Sequence, residues 1–157
     1  MRVNHDLDPI YTNDSKILIL GSLPSVKSRE LGFYYAHKQN RFWKVMAKVF
    51  NEQIEDKIAF LNKHHIALYD VIESCEIEGS SDSSIKDVIP TDLTTIIHNS
   101  NITTIFTTGK KAYDLYNKYQ YPKTNIKAIQ LPSTSPANAA MSLERLVEAY
   151  KVILENL

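Results

Sequence analysis

The run from Gly32 to Trp43, GFYYAHKQNRFW, gathers side chains that could handle a nucleotide. Tyr34 and Tyr35 offer aromatic faces that can stack on an extruded base, and Lys38 and Arg41 are cations for phosphate oxygens. His37 adds an imidazole, and Asn40 a carboxamide that can hold a water or read a base edge. Phe42, Trp43, Val45 and Met46 read instead as the buried side of a following helix. A second segment, Gly21-Ser22-Leu23-Pro24-Ser25, combines a glycine that lets backbone approach a ligand with a proline that limits flexibility. A third, Ser133-Thr134-Ser135-Pro136-Ala137-Asn138-Ala139, is a stiff loop whose hydroxyls and amides suit phosphate oxygens, although alone it also fits an ordinary capped turn.

These segments need a frame. Four runs rich in Ile, Val, Leu, Thr and Tyr read as buried strands: Lys16–Leu20, Ile66–Val71, Ile102–Thr107 and Ile126–Leu131. Helical patterns lie between them, over Arg41–Phe50, Glu52–His64, Asp92–Asn99 and Lys110–Tyr119, with Thr91 expected as the N-cap of the third. An apolar stripe through Leu143, Leu146, Val147, Tyr150, Ile153, Leu154 and Leu157 gives a closing amphipathic helix. This β-α-β alternation predicts a mostly parallel sheet with its ligand crevice at the carboxyl ends of the strands, where the chemical segments fall. Tyr69 and Asp70, at the end of the second strand, are further pocket candidates.

Composition narrows the classes. A chain of 157 residues is expected to form one domain over 1–157, and 43% apolar with 23% charged residues is ordinary globular usage. No apolar run approaches the ~20 residues that cross a bilayer, and MRVNHDLDPI lacks the apolar core of a secretory signal, so no membrane partner and a cytoplasmic location are expected. The single cysteine, Cys75, builds no disulfide framework, and with His64, His65 and Glu73 it lacks zinc-motif spacing, so no metal is expected. A serine hydrolase centred on Ser22 or Ser133 lacks both a Gly-x-Ser-x-Gly elbow and a clear acid/histidine partner. Net charge is zero, yet Ser22–Lys48 carries Lys27, Arg29, Lys38, Arg41, Lys44 and Lys48 against Glu30 alone, while Asn51–Asp92 is acidic. Solvated helix faces account for such segregation as readily as a polyanion does.

Together the Gly-x-x-Pro segment, Asn40-Arg41-Phe42-Trp43 and the Ser/Pro loop resemble the uracil-DNA glycosylase superfamily. The likeness is strongest to its deoxyinosine (hypoxanthine) branch, through Gly21–Ser25, Tyr34–His37, Asn40–Trp43, Gly79–Ile85 and Ser133–Ala139. The resemblance implies a three-layer α/β/α sandwich around a four-stranded, mostly parallel sheet. It also implies hydrolysis of the N-glycosidic bond of a deaminated base after base flipping, with no cofactor, initiating base excision repair on DNA in a cytoplasmic, nucleoid-associated monomer. Its iron–sulfur branches need four cysteines, which one cysteine cannot supply.

On that resemblance, Gly21, Ser22, Leu23, Pro24, Tyr34, Tyr35, His37, Tyr69 and Asp70 form the base pocket, and Ser133, Thr134, Ser135, Pro136, Ala137 and Asn138 pinch the DNA backbone near the minor groove. Lys38 and Arg41 are candidate phosphate contacts, and Asp82 is a candidate support for the pocket that fits a plain solvated or capping aspartate at least as well. Many uracil-removing relatives carry Asp or Asn two residues after the first-loop glycine, where this chain has Leu23; the resemblance to the deoxyinosine branch, in which the asparagine of the tyrosine-rich segment replaces it, implies Asn40 as the catalytic residue, positioning water without acting as a base. The last loop also lacks a histidine, which favours hypoxanthine over uracil, because a purine leaves more readily once a ring nitrogen is hydrogen-bonded. The competing reading is a catalytically silent nucleic-acid or nucleotide-binding module on the same fold.

Overall fold

The computed structural model describes residues 1–78 and 81–157; Gly79 and Ser80 of the Gly79–Ile85 segment lie outside the described residues. In chain order the elements are β1 (Arg2–Asn4), β2 (Ile17–Gly21), α1 (Val26–Leu31), α2 (Phe42–Phe50), α3 (Lys57–Lys63), β3 (Ile66–Asp70) and β4 (Ile72–Glu76). There follow β5 (Lys86–Pro90), α4 (Leu93–His98), β6 (Thr104–Thr108), α5 (Lys110–Leu115), α6 (Tyr121–Thr124), β7 (Ala128–Leu131) and α7 (Leu143–Tyr150).

The central sheet has the order β3-β2-β6-β7, and every pair in it is parallel. Because successive strand side chains point to opposite faces, Ile17 and Ile19 pack with Phe42, Val45, Met46, Leu146 and Tyr150, while Leu18 and Leu20 pack with Leu93, Ile96, Leu115 and Tyr116. Two helical layers therefore cover one sheet, the α/β/α sandwich that the resemblance implies. From β2 the chain moves to β3 on one side and later to β6 on the other, so the strand order reverses at β2 and opens a crevice beyond Gly21, Asp70 and Thr108.

Four details differ from the sequence reading. A second, antiparallel sheet, β1-β4-β5, leaves the end of β3 at once, with only Val71 between β3 and β4. The N-cap of α4 is Asp92 rather than Thr91: the Asp92 carboxylate accepts from Thr95 N, whereas the buried Thr91 hydroxyl donates to Asp70 O at 2.7 Å and is committed to the strand junction. The expected helix over Glu52–His64 starts only at Lys57, because Asn51 closes α2 in the left-handed region and Asp56 caps α3. The expected helix over Lys110–Tyr119 passes into a π turn at Tyr116–Gln120, where Gln120, fully buried, donates to Val71 O and Thr91 O.

Candidate functional site

Three segments meet at the carboxyl ends of the central strands around a cavity of about 430 Å³. The first is Gly21–Ser25. Its carbonyls are tied to the β3–β4 corner, Gly21 O by Val71 N at 2.9 Å and Ser22 O by Ile72 N at 3.0 Å. Gly21 is required by crowding, since a Cβ there would lie 2.6 Å from Asp70 Oδ1. Ser25 caps α1 through Ser28 N, and Ser28 Oγ in turn accepts from Ala36 N, joining this loop to the tyrosines.

The tyrosine segment is held more tightly still. Tyr34 is buried, its hydroxyl donating to Asp8 O at 2.8 Å while Trp43 Nε1 donates to its carbonyl at 3.0 Å. Tyr35 sits in the left-handed region at φ 54°, stacks on Phe42 with ring centroids 4.0 Å apart, and brings its hydroxyl 3.3 Å from Thr108 Oγ1. A left-handed tyrosine is a strained conformation that the surroundings must enforce. Burial, with the charge of Asp70 adding, holds both phenols far above their ordinary range, so each remains a neutral donor.

Asn40 occupies the junction with the last loop. Its Oδ1 accepts from Phe42 N at 2.9 Å and from Thr134 Oγ1 at 2.8 Å. A backbone N–H can only donate, so Phe42 N fixes which end of the amide is oxygen. Nδ2 is then the end left for the cavity, with no hydrogen bond to any described residue. The loop itself is internally braced: Ser135 N donates to Ser133 Oγ, Ala137 N to Ser135 Oγ and Asn138 Nδ2 to Ser133 O. Arg41 clasps its far side, Nη1 donating to Met141 O and Nη2 to Asn138 O at 3.0 Å. A larger depression of about 580 Å³ lies on the small sheet beside Glu76, Glu78 and Asp87, whose carboxylates suit a polyanion poorly.

With this geometry in place, comparison with known proteins is informative. The family model described as the uracil DNA glycosylase superfamily matches residues 9–155. The chain belongs to that superfamily. Membership places it among DNA glycosylases. It is similar to a hypoxanthine DNA glycosylase of Methanosarcina acetivorans, at 31% identity over 144 residues covering 87% of this chain and 89% of the relative. A hypoxanthine DNA glycosylase of Methanosarcina barkeri is 33% identical over 84 residues, a match covering 50% of this chain and about half, 53%, of that relative. The solution NMR structure of a candidate uracil DNA glycosylase from Methanosarcina acetivorans superposes with a TM-score of 0.79 at 27% identity, over 98% of this chain and 99% of that one.

Among the residues expected at the glycosylase site, Gly21, Ser22, Leu23, Pro24, Tyr34, Tyr35, Asn40, Asp70, Asp82, Ser133, Thr134, Ser135 and Ala137 all line the one cavity. His37, Tyr69, Pro136 and Asn138 do not line it. His37 Nδ1 accepts from Gln39 N on the surface, and Tyr69 turns to a separate depression with Glu73 and Thr91, its phenol pushed up to about 12 mainly by burial. Lys38 is exposed, whereas Arg41 is engaged with loop carbonyls. Ser28, Arg29, Ile77 and Thr108 also line the cavity, and neither they nor His5 stood among the expected site residues. Thr108 ends β6 on the cavity floor, and His5, with a fully buried side chain, places Nε2 at 2.8 Å from Asp70 Oδ2. Sixty-five positions separate His5 from Asp70, and no local pattern marks the pair.

Proposed function

We propose that this glycosylase hydrolyses the N-glycosidic bond of hypoxanthine in DNA, with uracil in mismatches as a secondary substrate. It leaves an abasic site without cutting the strand, acts as a single-domain monomer needing no metal, and so initiates base excision repair. The observation that carries the reading is Asn40, anchored by both hydrogen bonds to its oxygen and presenting only amide donors to a cavity at the strand ends. The hypoxanthine activity named for the two Methanosarcina relatives supports the choice of base.

A base inside a duplex hides its glycosidic bond, so the nucleotide is flipped into the cavity at a cost of a few kcal/mol, less for a poorly paired base. The braced Ser133–Asn138 loop, rich in hydroxyls and amides, grips the backbone on either side of the extruded nucleotide. Asn40 Nδ2 donates to the oxygen of a water and sets it at the anomeric carbon. As the bond lengthens its electron pair leaves with the base, which takes up the proton the water loses on adding to the anomeric carbon; the oxocarbenium-like sugar needs no strong base to draw the nucleophile in, which accommodates Leu23 where relatives carry Asp or Asn.

The test is alkali-revealed strand cleavage of end-labelled duplexes containing hypoxanthine or uracil under excess enzyme. Hypoxanthine excision by the wild type but not by Asn40→Ala supports the reading. No excision of either base sinks it in favour of the silent binding module, which Leu23 would otherwise recommend.

A further inference from the structure

Beneath the first loop, the corner between β3 and β4 is held from behind by a residue that the hydrolytic scheme leaves unused. Gln120 is fully buried and ends the π turn Tyr116–Gln120, in which Tyr121 N donates to Tyr116 O, five residues back. Pro122, next in line, has no N–H with which to return the ladder at once to the α pattern. Gln120 Nε2 faces Thr91 O at 2.9 Å and Val71 O at 3.2 Å, and because carbonyls only accept, that end of the amide is the nitrogen. Thr91 makes the companion contacts: its hydroxyl donates to Asp70 O at 2.7 Å, and its backbone N donates to Val71 O at 3.0 Å.

What these donors hold is the far edge of two rigid planes. Asp70 O and Val71 N belong to one peptide unit, and Val71 O and Ile72 N to the next, so in each unit the oxygen and the N–H are fixed on opposite edges of a plane. Thr91 Oγ1 holds the oxygen of the first, whose Val71 N donates to Gly21 O at 2.9 Å. Gln120 Nε2 and Thr91 N hold the oxygen of the second, whose Ile72 N donates to Ser22 O at 3.0 Å. Turning either plane about its Cα–Cα axis swings its N–H off the loop carbonyl. We propose that Gln120, together with Thr91, is a positioning residue for excision: by clamping the two oxygens it sets the two N–H groups that place Gly21 and Ser22 on the cavity wall. The inference rests on the glycosylase reading above and adds a control point outside the cavity, since neither Gln120 nor Thr91 lines it. The Ser133–Asn138 loop is braced by its own hydrogen bonds and by Arg41, so loosening the corner costs placement of the nucleotide and leaves the hold on DNA intact.

Gln120→Met keeps the buried volume and removes the amide donors, and Thr91→Val does the same for the hydroxyl. Single-turnover excision of hypoxanthine at saturating enzyme is measured beside the Kd for an unmodified duplex of the same sequence. Both variants should excise about 10–10²-fold more slowly, the cost of a slightly misplaced reacting group, with Kd unchanged. Tyr116→Phe controls for lost stability, because it deletes the hydroxyl that donates to Ile126 O at 2.6 Å in the same helical segment without touching the corner. It should melt below the wild type, as Gln120→Met does, yet excise at the wild-type rate. A Gln120→Met or Thr91→Val enzyme as fast as Tyr116→Phe makes these groups purely structural and overturns the proposal, as does a weakened Kd with the saturated rate unchanged. Should Gln120→Met not fold, Thr91→Val decides by the same comparison. A wild type that excises nothing sinks the glycosylase reading instead, and amide hydrogen exchange then decides the positioning. The Val71 and Ile72 N–H groups should lose protection in Gln120→Met and keep it in Tyr116→Phe, and unchanged protection in Gln120→Met overturns the clamp.

Discussion

Asn40 allows anchoring and chemistry to be separated, because its two ends do different things. Oδ1 accepts from Phe42 N and Thr134 Oγ1, whereas Nδ2 has no described partner and borders the cavity. Asn40→Ala removes both functions. Two lost hydrogen bonds at about 1 kcal/mol each, with Phe42 N left uncapped, should lower stability by roughly 2 kcal/mol, and each kcal/mol shifts Tm by about 2–4 °C in a domain of this size. Losing one preorganised donor in the transition state costs about 2.7–4 kcal/mol, or 10²–10³-fold in rate. Asn40→Asp instead keeps an oxygen for both anchoring donors and exchanges only the free NH₂ for a second oxygen. It should melt close to the wild type yet excise hypoxanthine about as slowly as Asn40→Ala. Thermal unfolding beside single-turnover excision on a hypoxanthine duplex reads both quantities. An Asn40→Asp enzyme as fast as the wild type, or faster, would refute the reasoning, because the position would then act as an acceptor or base.

Gly21→Ala puts a methyl 2.6 Å from Asp70 Oδ1 and should cost about 1–3 kcal/mol in a urea titration while abolishing excision, since the carboxylate must swing off His5. Arg41→Lys loses the fork that holds Met141 O and Asn138 O together. We expect a KM for the DNA duplex raised several-fold with a smaller change in kcat, and a kcat loss alone would show that the arginine acts elsewhere. Alkaline stability follows from the buried phenols: Tyr69 is raised from 10.0 to about 12, and burial raises Tyr34 and Tyr35 further. A group that binds its proton more tightly when folded contributes stability fully present below pH 10, which drains away as pH rises through about 12. Urea midpoints should be flat from pH 8 to 9.5 and decline beyond, and a midpoint that does not fall by pH 12 contradicts the assignment.

The central sheet was readable because β2, β3 and β6 are short apolar runs buried on both faces, a pattern that survives without any knowledge of partners. The small sheet was not, since β5 is mostly exposed and β4 reads Ile-Glu-Ser-Cys-Glu, so neither announces a strand until paired in space. Thr91 and Asp92 are both accepted caps by residue type, and the buried strand junction that claims the threonine hydroxyl leaves the role to Asp92. The loops that line the cavity were legible because glycine, proline, tyrosine and serine cluster there at strand ends. The atoms within it were not: sequence singled out Asn40 but not which end of its amide is anchored, and it named Asp70 without the histidine bonded to it.

The hydrogen bond between Asn40 and Thr134 has a mechanical corollary, because it welds the loop expected to grip DNA to the side chain expected to place water. Arg41, the next residue along, holds that same loop by two of its carbonyls. Grasp and reactivity in this chain are therefore coupled through one hydrogen bond. A mutation that pulls the serine loop towards the helix of DNA also drags the amide, and natural drift towards a tighter hold is confined to changes that leave the Asn40–Thr134 distance alone.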